Sequence, residues 1–565
     1  MIVIRYKPHL IYRNMKKLGT FLLLLCAAAG TQAADVSKVK PVKNVIVMIP
    51  DGTSLSTVSL ARWHQWYNNP QAPNLNIDPY LSGTVRTHSS NAPIGDSAPT
   101  TSCYMTGQPT ITGFVSTYPW DAGKDNIYPV DSAMAYQPLM TILEAARLKQ
   151  GKAVGLVVTC EFTHATPADC AAHYYKRGDY DVIGSQMAFN DIDVMIGGGV
   201  PLLKQDGKEY LKSNGWEVYL NDMEGFKNAD NNRTWALFEE RDLPYDIDRD
   251  TTKIPSLAQM TDKAIDLLSK DKDGFFLMVE GSKVDWAAHA NDPVGMATEF
   301  LAFDKACGVA LDFAKRNGET AVIILPDHGN SGLSIGAKRC GGYDKLTKDQ
   351  LFGQFSQFKL TAEGFAKKLE ATAPAQLPEL FETYAGVRLT DDELKSIYQL
   401  QKYPLSPLAE ADRTNKQSLS SFMSEFFTSK TCFGFTTGGH TGEDVFLASY
   451  HPQDTRPFGL WNNTDINKYL CALFGMEGQL PQLTSEYFAK HSDVFDGYKY
   501  KIIEPKDKDG YPTLEVKGKK KTLLINPYTC IVEQGKNKVK LNSVVVYMDK
   551  TNTFYLPKSL RDLLQ

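Results

Sequence analysis

Acids and imidazoles recur in this 565-residue chain at places where apolar runs stop. Asp51 follows NVIVMI after one proline, Glu280 follows FFLMV, and the adjacent pair Asp327-His328 follows TAVIILP. Just beyond Glu280, EGSKVDWAAHAND sets Asp285 and His289 four positions apart, a spacing that brings carboxylate and imidazole onto one face of a helix. His440 lies in TTGGHTGED, where glycines permit close backbone approach, and THATPADCAAHYYKR supplies His164, Thr166 and Arg177 after another apolar run. Imidazole with carboxylate suits zinc, whereas an all-oxygen set suits magnesium. Each residue taken singly has a plainer reading, because an Asp at a strand end caps a helix and an i,i+4 Asp/His pair decorates a helix surface. Three strand ends that carry Asp, Glu and His to one sheet edge are better suited to binding divalent ions.

The stretch NAPIGDSAPTTSCYMTG offers a nucleophile. Asp96-Ser97 also reads as the opening of a helix, since both side chains accept orphan backbone N–H groups. A serine hydroxyl attacks poorly near neutral pH unless a base or a metal assists, and a metal pair can also stabilise the departing oxygen of an in-line displacement. The planar guanidinium of Arg177 matches the equatorial oxygens of a phosphoryl group, with Asp96 available to orient it. Backbone N–H groups at the start of the helix after Ser97 would add anion stabilisation.

These side chains need a scaffold. KNVIVMIPDG, KAVGLVVTCE, IDVMIGGG, GFFLMVEG and TAVIILPDHG are short, β-branched runs that predict strands buried on both faces of a parallel sheet. Between them, LAQMTDKAIDLLSK and MATEFLAFDKACGVALDFAKR have apolar residues at helical spacing. The alternation predicts an α/β fold, a largely parallel central sheet flanked by helices on both faces, with ligand-binding residues at the carboxyl ends of the strands. Within a catalytic body spanning 35–496, residues 335–431 read as a helical, cap-like insertion. Residues 497–565 read as a small β-rich appendage whose lysines, dispersed among turns, form a solvated face.

Residues 1–34 are expected to be a targeting segment. MKKLGTFLLLLCAAAGTQAAD has a basic start, a short apolar stretch and a small-residue cleavage pattern near Ala33 or Ala34, and Met15 makes a more ordinary start than Met1. Leu25 occupies the position where a lipoprotein signal would need a small residue before Cys26. The expected product is an exported, periplasmic or extracellular protein with no integral membrane segment after cleavage. Eight cysteines remain without Cys26, none in a CxxC motif, and their pairing does not follow from sequence. With 61 basic and 65 acidic residues and a net charge of −4, nothing points to a nucleic-acid partner.

In chain order, IPDGTS, GDSAPTTSCYMTG, THATPA with HYYKR, VEGSKVDWAAHAND, LPDHG and GGHTGED resemble the alkaline phosphatase family over roughly residues 40 to 475. The resemblance implies hydrolysis of small-molecule phosphate monoesters through a phosphoserine on Ser97, and suggests a homodimer. It implies one zinc held by Asp285, His289 and His440, which binds the leaving oxygen and then activates water. A second zinc would be held by Asp51, Asp327 and His328 with Ser97, and a magnesium-type third site by Asp51, Thr166 and Glu280. Arg177, positioned by Asp96, would clamp the phosphoryl oxygens. At the positions of His164 and Trp286 the family varies. A histidine in place of a carboxylate there should loosen the hold on magnesium or let another divalent ion share the site. Trp286 brings no charge to the phosphate site and reads as an aromatic at its rim, while His173 reads as structural. Of the alternatives, a diesterase typically carries Thr at the nucleophile position, a sulfatase needs a Cys/Ser-x-Pro-x-Arg context absent around Ser97, and a noncatalytic metal scaffold has no need of Ser97 and Arg177.

Overall fold

A computed structural model of the chain describes residues 35–402, 418–507 and 510–564. The predicted targeting segment, residues 1–34, lies outside the described residues. Of a leading unit ending at Lys38, residues 35–38 are described, where Asp35 Oδ1 accepts hydrogen bonds from the backbone and hydroxyl of Ser37. The second compact unit runs from Val39 to Gln565.

Its centre is a ten-stranded sheet. Eight strands come first in the chain: β1 (Asn44–Pro50), β2 (Leu81–Arg86), β3 (Ala153–Glu161), β4 (Val194–Gly198), β5 (Glu217–Leu220), β6 (Thr234–Phe238), β7 (Phe275–Gly281) and β8 (Thr320–Ile324). Strands Val445–Tyr450 and Gly459–Asn462 complete it, in the spatial order Gly459–Asn462, β2, Val445–Tyr450, β8, β1, β7, β3, β4, β6, β5. Val445–Tyr450 is antiparallel to both its neighbours, and every other pairing is parallel. The five expected strands all form, and all five are buried throughout because helices cover both faces of a parallel sheet. Val45 to Ile49 are fully buried, each such side chain contributing about 1.5–3 kcal/mol of hydrophobic stabilisation. The two amphipathic stretches form helices Leu257–Leu268 and Pro293–Asn317, whose apolar faces join the same core.

Register aligns the carboxyl ends of the central strands. Ile49 pairs with Glu280 across β1 and β7, and Met48 pairs with Ile324 across β1 and β8. Asp51, Glu280 and Asp327 therefore emerge side by side on one edge, from strands spaced about 4.8 Å apart.

After β8 the chain leaves the sheet and returns through a paired neck. Gly329–Asn330 pairs with His440–Thr441, Ser334–Ile335 pairs with Phe433–Gly434, and a disulfide joins Cys340 to Cys432. Beyond the neck lie helices including Ala362–Glu370, Leu377–Ala385 and Leu419–Ser429, assembled on an aromatic core of Phe355, Phe358, Phe365, Phe381, Phe426 and Phe427. The disulfide closes a loop of 92 residues, which in the chain-entropy account stabilises the native state by about 4 to 5 kcal/mol. Reducing it should make the 341–431 segment susceptible to limited proteolysis at temperatures the oxidised protein resists. An unchanged cleavage pattern would show that the aromatic core alone holds the insertion.

At the C-terminal end, five antiparallel strands span Lys499 to Lys540, and Thr553–Leu556 pairs with both Val546–Met548 and Ala489–Lys490. The second of those pairings crosses residue 496, so the β-rich end is stitched to the chain that precedes it. Tyr175 OH donates to Asp549 at 2.7 Å, anchoring this end two residues before Arg177. No helix among the described residues is long and apolar enough to cross a membrane.

Candidate active site

Two ligand clusters lie at the sheet edge. Ligand atoms of Asp51, Asp327 and His328 all fall within 4.8 Å of one another, as do those of Asp285, His289 and His440. The first cluster is buried at the ends of β1 and β8. The second combines helix Lys283–His289, where the four-residue spacing does place Asp285 and His289 on one face, with the inbound strand of the neck. Gly52 makes the junction possible. Its φ is +58°, and a Cβ there would meet Asp285 Oδ1 at 2.1 Å, so only glycine lets the two clusters approach this closely.

The histidines are oriented by backbone carbonyls. His328 Nδ1 lies 3.1 Å from the Gly329 carbonyl, His440 Nδ1 2.9 Å from that of Gly95, and His289 Nδ1 2.8 Å from that of Gly438. A carbonyl only accepts, so in each neutral ring Nδ1 carries the proton and Nε2 a lone pair. His289 Nε2 and His440 Nε2 face one another at 3.1 Å, and Asp285 Oδ1 is 3.7 Å from His440 Nε2. Two lone pairs and a carboxylate cannot satisfy each other, but a cation among them satisfies all three.

The buried carboxylates make the same demand. Among the described residues, both oxygens of Asp51, one of Asp327 and Oε1 of Glu280 find no hydrogen-bond partner. Burial, then the charge of Asp327, pushes Asp51 far above the usual carboxylate range. The same two causes push Glu280 to about 8. Burial and the neighbouring His440 push His328 down to about 4, leaving its ring neutral. Several acids clustered out of water without a counter-charge are costly, and divalent ions are the counter-charge that His and carboxylate donors accept.

Ser97 begins helix Ser97–Thr106, and its Oγ lies 3.3 Å from His328 Nε2. Asp96 occupies the N-cap position, yet its side chain caps nothing. Instead Arg177 donates to Asp96 Oδ1 at 2.7 Å, an ion pair bridging 81 residues of sequence. Burial raises Asp96, but Arg177, His328 and His440 outweigh it and hold the carboxyl below its ordinary value. A cleft of about 460 Å³ is lined by Asp96, Ser97, His164, Arg177, Asp285, Trp286, His289 and His440. Hydroxyl, guanidinium and ligand histidines thus open into one space.

Glu280 and Thr166 are fully buried. His164 packs edge-on against Trp286 and lies 3.2 Å from Arg177 through Nε2; burial and that guanidinium push it to about 3. His173 lies elsewhere, buried between Glu144 and the Ser116 carbonyl.

Three neighbours escaped the sequence reading. Asn330 donates to Asp285 Oδ1 at 2.6 Å, and only its place two residues after His328 hinted at it. Lys283 is fully buried, pairs with Asp242 and puts its ammonium 4.7 Å from the Trp286 ring, so a positive charge stands behind the uncharged rim residue. Cys160, near the end of β3, gathers with His164 and Glu280 in a third ligand cluster.

Comparison with known proteins follows this geometry. Residues 42–476 match the family described as alkaline phosphatase. Alkaline phosphatase 4 of Bacillus subtilis (strain 168) is 33% identical over 438 residues, covering 75% of this chain and 87% of its own. The crystal structure of a cold-active alkaline phosphatase from the psychrophile Shewanella sp. aligns at TM-score 0.65 and 25% identity, covering 76% of this chain and 99% of that one. The Thermus thermophilus alkaline phosphatase structure shares the fold at TM-score 0.66 and 23% identity, covering 79% and 93% respectively.

Proposed function

The chain belongs to the alkaline phosphatase family, and on that premise we propose that it hydrolyses phosphate monoesters through a covalent phosphoserine on Ser97. One observation carries this reading: Ser97 shares a single cleft with Arg177 and with the histidines of the Asp285 cluster, and its Oγ also reaches His328 of the other.

Arg177 receives the phosphoryl group, donating two N–H groups to its equatorial oxygens while Asp96 keeps the guanidinium from swinging away. Ser97 Oγ then attacks phosphorus in line with the ester oxygen. The Oγ–P bond forms, the P–O bond to the alcohol breaks, and the serine proton leaves with the alcohol. Without an ion, His328 Nε2 accepts from the Ser97 hydroxyl; the same lone pair is the one that would be given to a bound ion. Water attacking the phosphoserine releases inorganic phosphate and returns a proton to Ser97. Asp285, His289 and His440 would hold one zinc, Asp51, Asp327 and His328 a second, and Asp51, Thr166 and Glu280 a magnesium-type ion. When bound, these ions supply Lewis-acid neutralisation of the attacking, leaving and equatorial oxygens. His164 and Trp286 shape the rim.

We place the protein outside the cytoplasm on the strength of the residue 1–34 segment, with the 335–431 insertion as a cap beside the cleft and 497–565 as an appendage. The family resemblance suggests a homodimer. The substrate class is tested by assaying the zinc- and magnesium-reconstituted protein on a phosphate monoester, a phosphate diester and a sulfate ester with a common leaving group. Monoester turnover should dominate; a diester preference would overturn the assignment.

A further inference from the structure

A second cavity opens beside the catalytic cleft. It measures about 940 Å³, against about 460 Å³ for the cleft, and His289 lines both. One wall is helix Leu419–Ser429 of the insertion, and another is the neck. The helix divides its faces by chemistry. Leu419, Met423, Phe426 and Phe427 enter the aromatic core, whereas Ser421, Ser424, Glu425 and Thr428, at i, i+3, i+4 and i+7, line the cavity. Serine and threonine are poorer helix formers than Lys, Glu or Gln, and their short side chains leave room beside the helix. Among the described residues, Ser424 Oγ finds no hydrogen-bond partner although the residue is only 3% exposed. Arg339 ties the neck to the end of the helix by donating to the carbonyls of Thr428, Thr431 and Phe433, and the Cys340–Cys432 disulfide follows it. With Arg339 so engaged, Lys338 and Glu425 leave one charge of each sign on the walls.

We propose that this cavity receives the alcohol portion of the ester and selects polyhydroxylated alcohols, sugars among them, over apolar ones. The inference rests on the monoesterase reading above and adds its substrate class. In an in-line displacement the leaving oxygen stands opposite the attacking Ser97 Oγ, and on that reading it meets the Asp285 cluster. His289 belongs to that cluster and also lines the cavity, so the carbon skeleton behind the leaving oxygen continues into it. A cavity of this size holds a ligand as large as a sugar. A sugar hydroxyl both donates and accepts, and so pairs with serine and threonine hydroxyls and with Glu425. An alkyl chain in the same place leaves those groups, Ser424 above all, without partners.

The test compares glucose 6-phosphate with hexyl phosphate on the zinc- and magnesium-reconstituted full chain, by release of inorganic phosphate. Both are esters of primary alcohols, so the ratio of their kcat/KM values reports on the rest of the alcohol. The unmodified protein should favour the sugar ester by at least about fivefold, the worth of one or two neutral hydrogen bonds. Ser424→Ala should lower that ratio by about two- to tenfold, chiefly through KM for the sugar ester. Ser421→Trp, which fills the space beside the helix, should remove the preference. Circular dichroism checks that each variant is folded, and either variant alone carries the comparison. A preference for hexyl phosphate, no preference, or a ratio that the folded variants leave unchanged would sink the subsite and leave the monoesterase reading in place. Absence of turnover on both esters and on methyl phosphate would remove the monoesterase reading and the subsite with it.

Discussion

Replacing Ser97 with Ala should lower phosphate monoester turnover by at least about 10³-fold while leaving the fold intact. Loss of a serine nucleophile costs as much as about 10⁶ in kcat where nothing replaces it, but metal-presented water could rescue part of the rate here, so the smaller figure is the firm one. The hydroxyl is nearly buried and contributes no N-cap, with His328 as its side-chain partner, so deleting it should cost only about 0.5–1.5 kcal/mol of stability. Acid quenching during turnover should trap phosphate on the unmodified protein and none on Ser97→Ala. Undiminished monoester turnover in the variant would remove Ser97 from the chemistry and leave direct attack by water as the mechanism.

Stripping divalent ions should lower activity by at least about 10³-fold, and also make the protein's stability depend on pH. Removing a single group that stabilises developing charge already costs about 10²–10³, and here all such cations are lost together. The stability effect comes from the acids left behind. In the metal-free chain, burial and then Asp327 raise Glu280 from an ordinary 4.5 to about 8, and Asp51 is raised by the same causes. The folded chain therefore holds protons that the unfolded chain has already released. The stability Glu280 contributes by staying protonated is complete below about 4.5 and is lost as pH rises through about 8. Thermal unfolding of the stripped protein should accordingly occur at falling temperature across that window. The reconstituted protein should hold its midpoint, because bound ions replace the protons. A stripped protein whose midpoint rises with pH over the same range would contradict the assignment of these acids as a buried, mutually repelling cluster.

Much of the scaffold was legible in the chain because burial on both faces of a parallel sheet demands unbroken apolar runs, and the residues that end them must be polar. Asp51, Glu280 and Asp327 stand out in sequence for that reason, and their meeting on one edge follows from parallel strands sharing a direction. The i,i+4 spacing of Asp285 and His289 was readable because a helix converts spacing into position.

Convergence of distant side chains was not readable in this way. Nothing local to GDSAP distinguishes an N-cap aspartate from one whose carboxylate turns to Arg177, since the choice depends on a guanidinium delivered by another segment. Cys160 reads as one more residue of an apolar strand, and that its sulfur donates to Glu280 Oε2 depends on β3 lying beside β7 in the sheet. Periodicity reports which face of an element is buried, so the sequence by itself determined the strands, the sheet edge and the types of ligand gathered there. Which ligand-type side chains gather, which acid holds the arginine and which cysteines join across the neck were decided only by tertiary structure. Those relations depend on distances between elements, which no local pattern encodes.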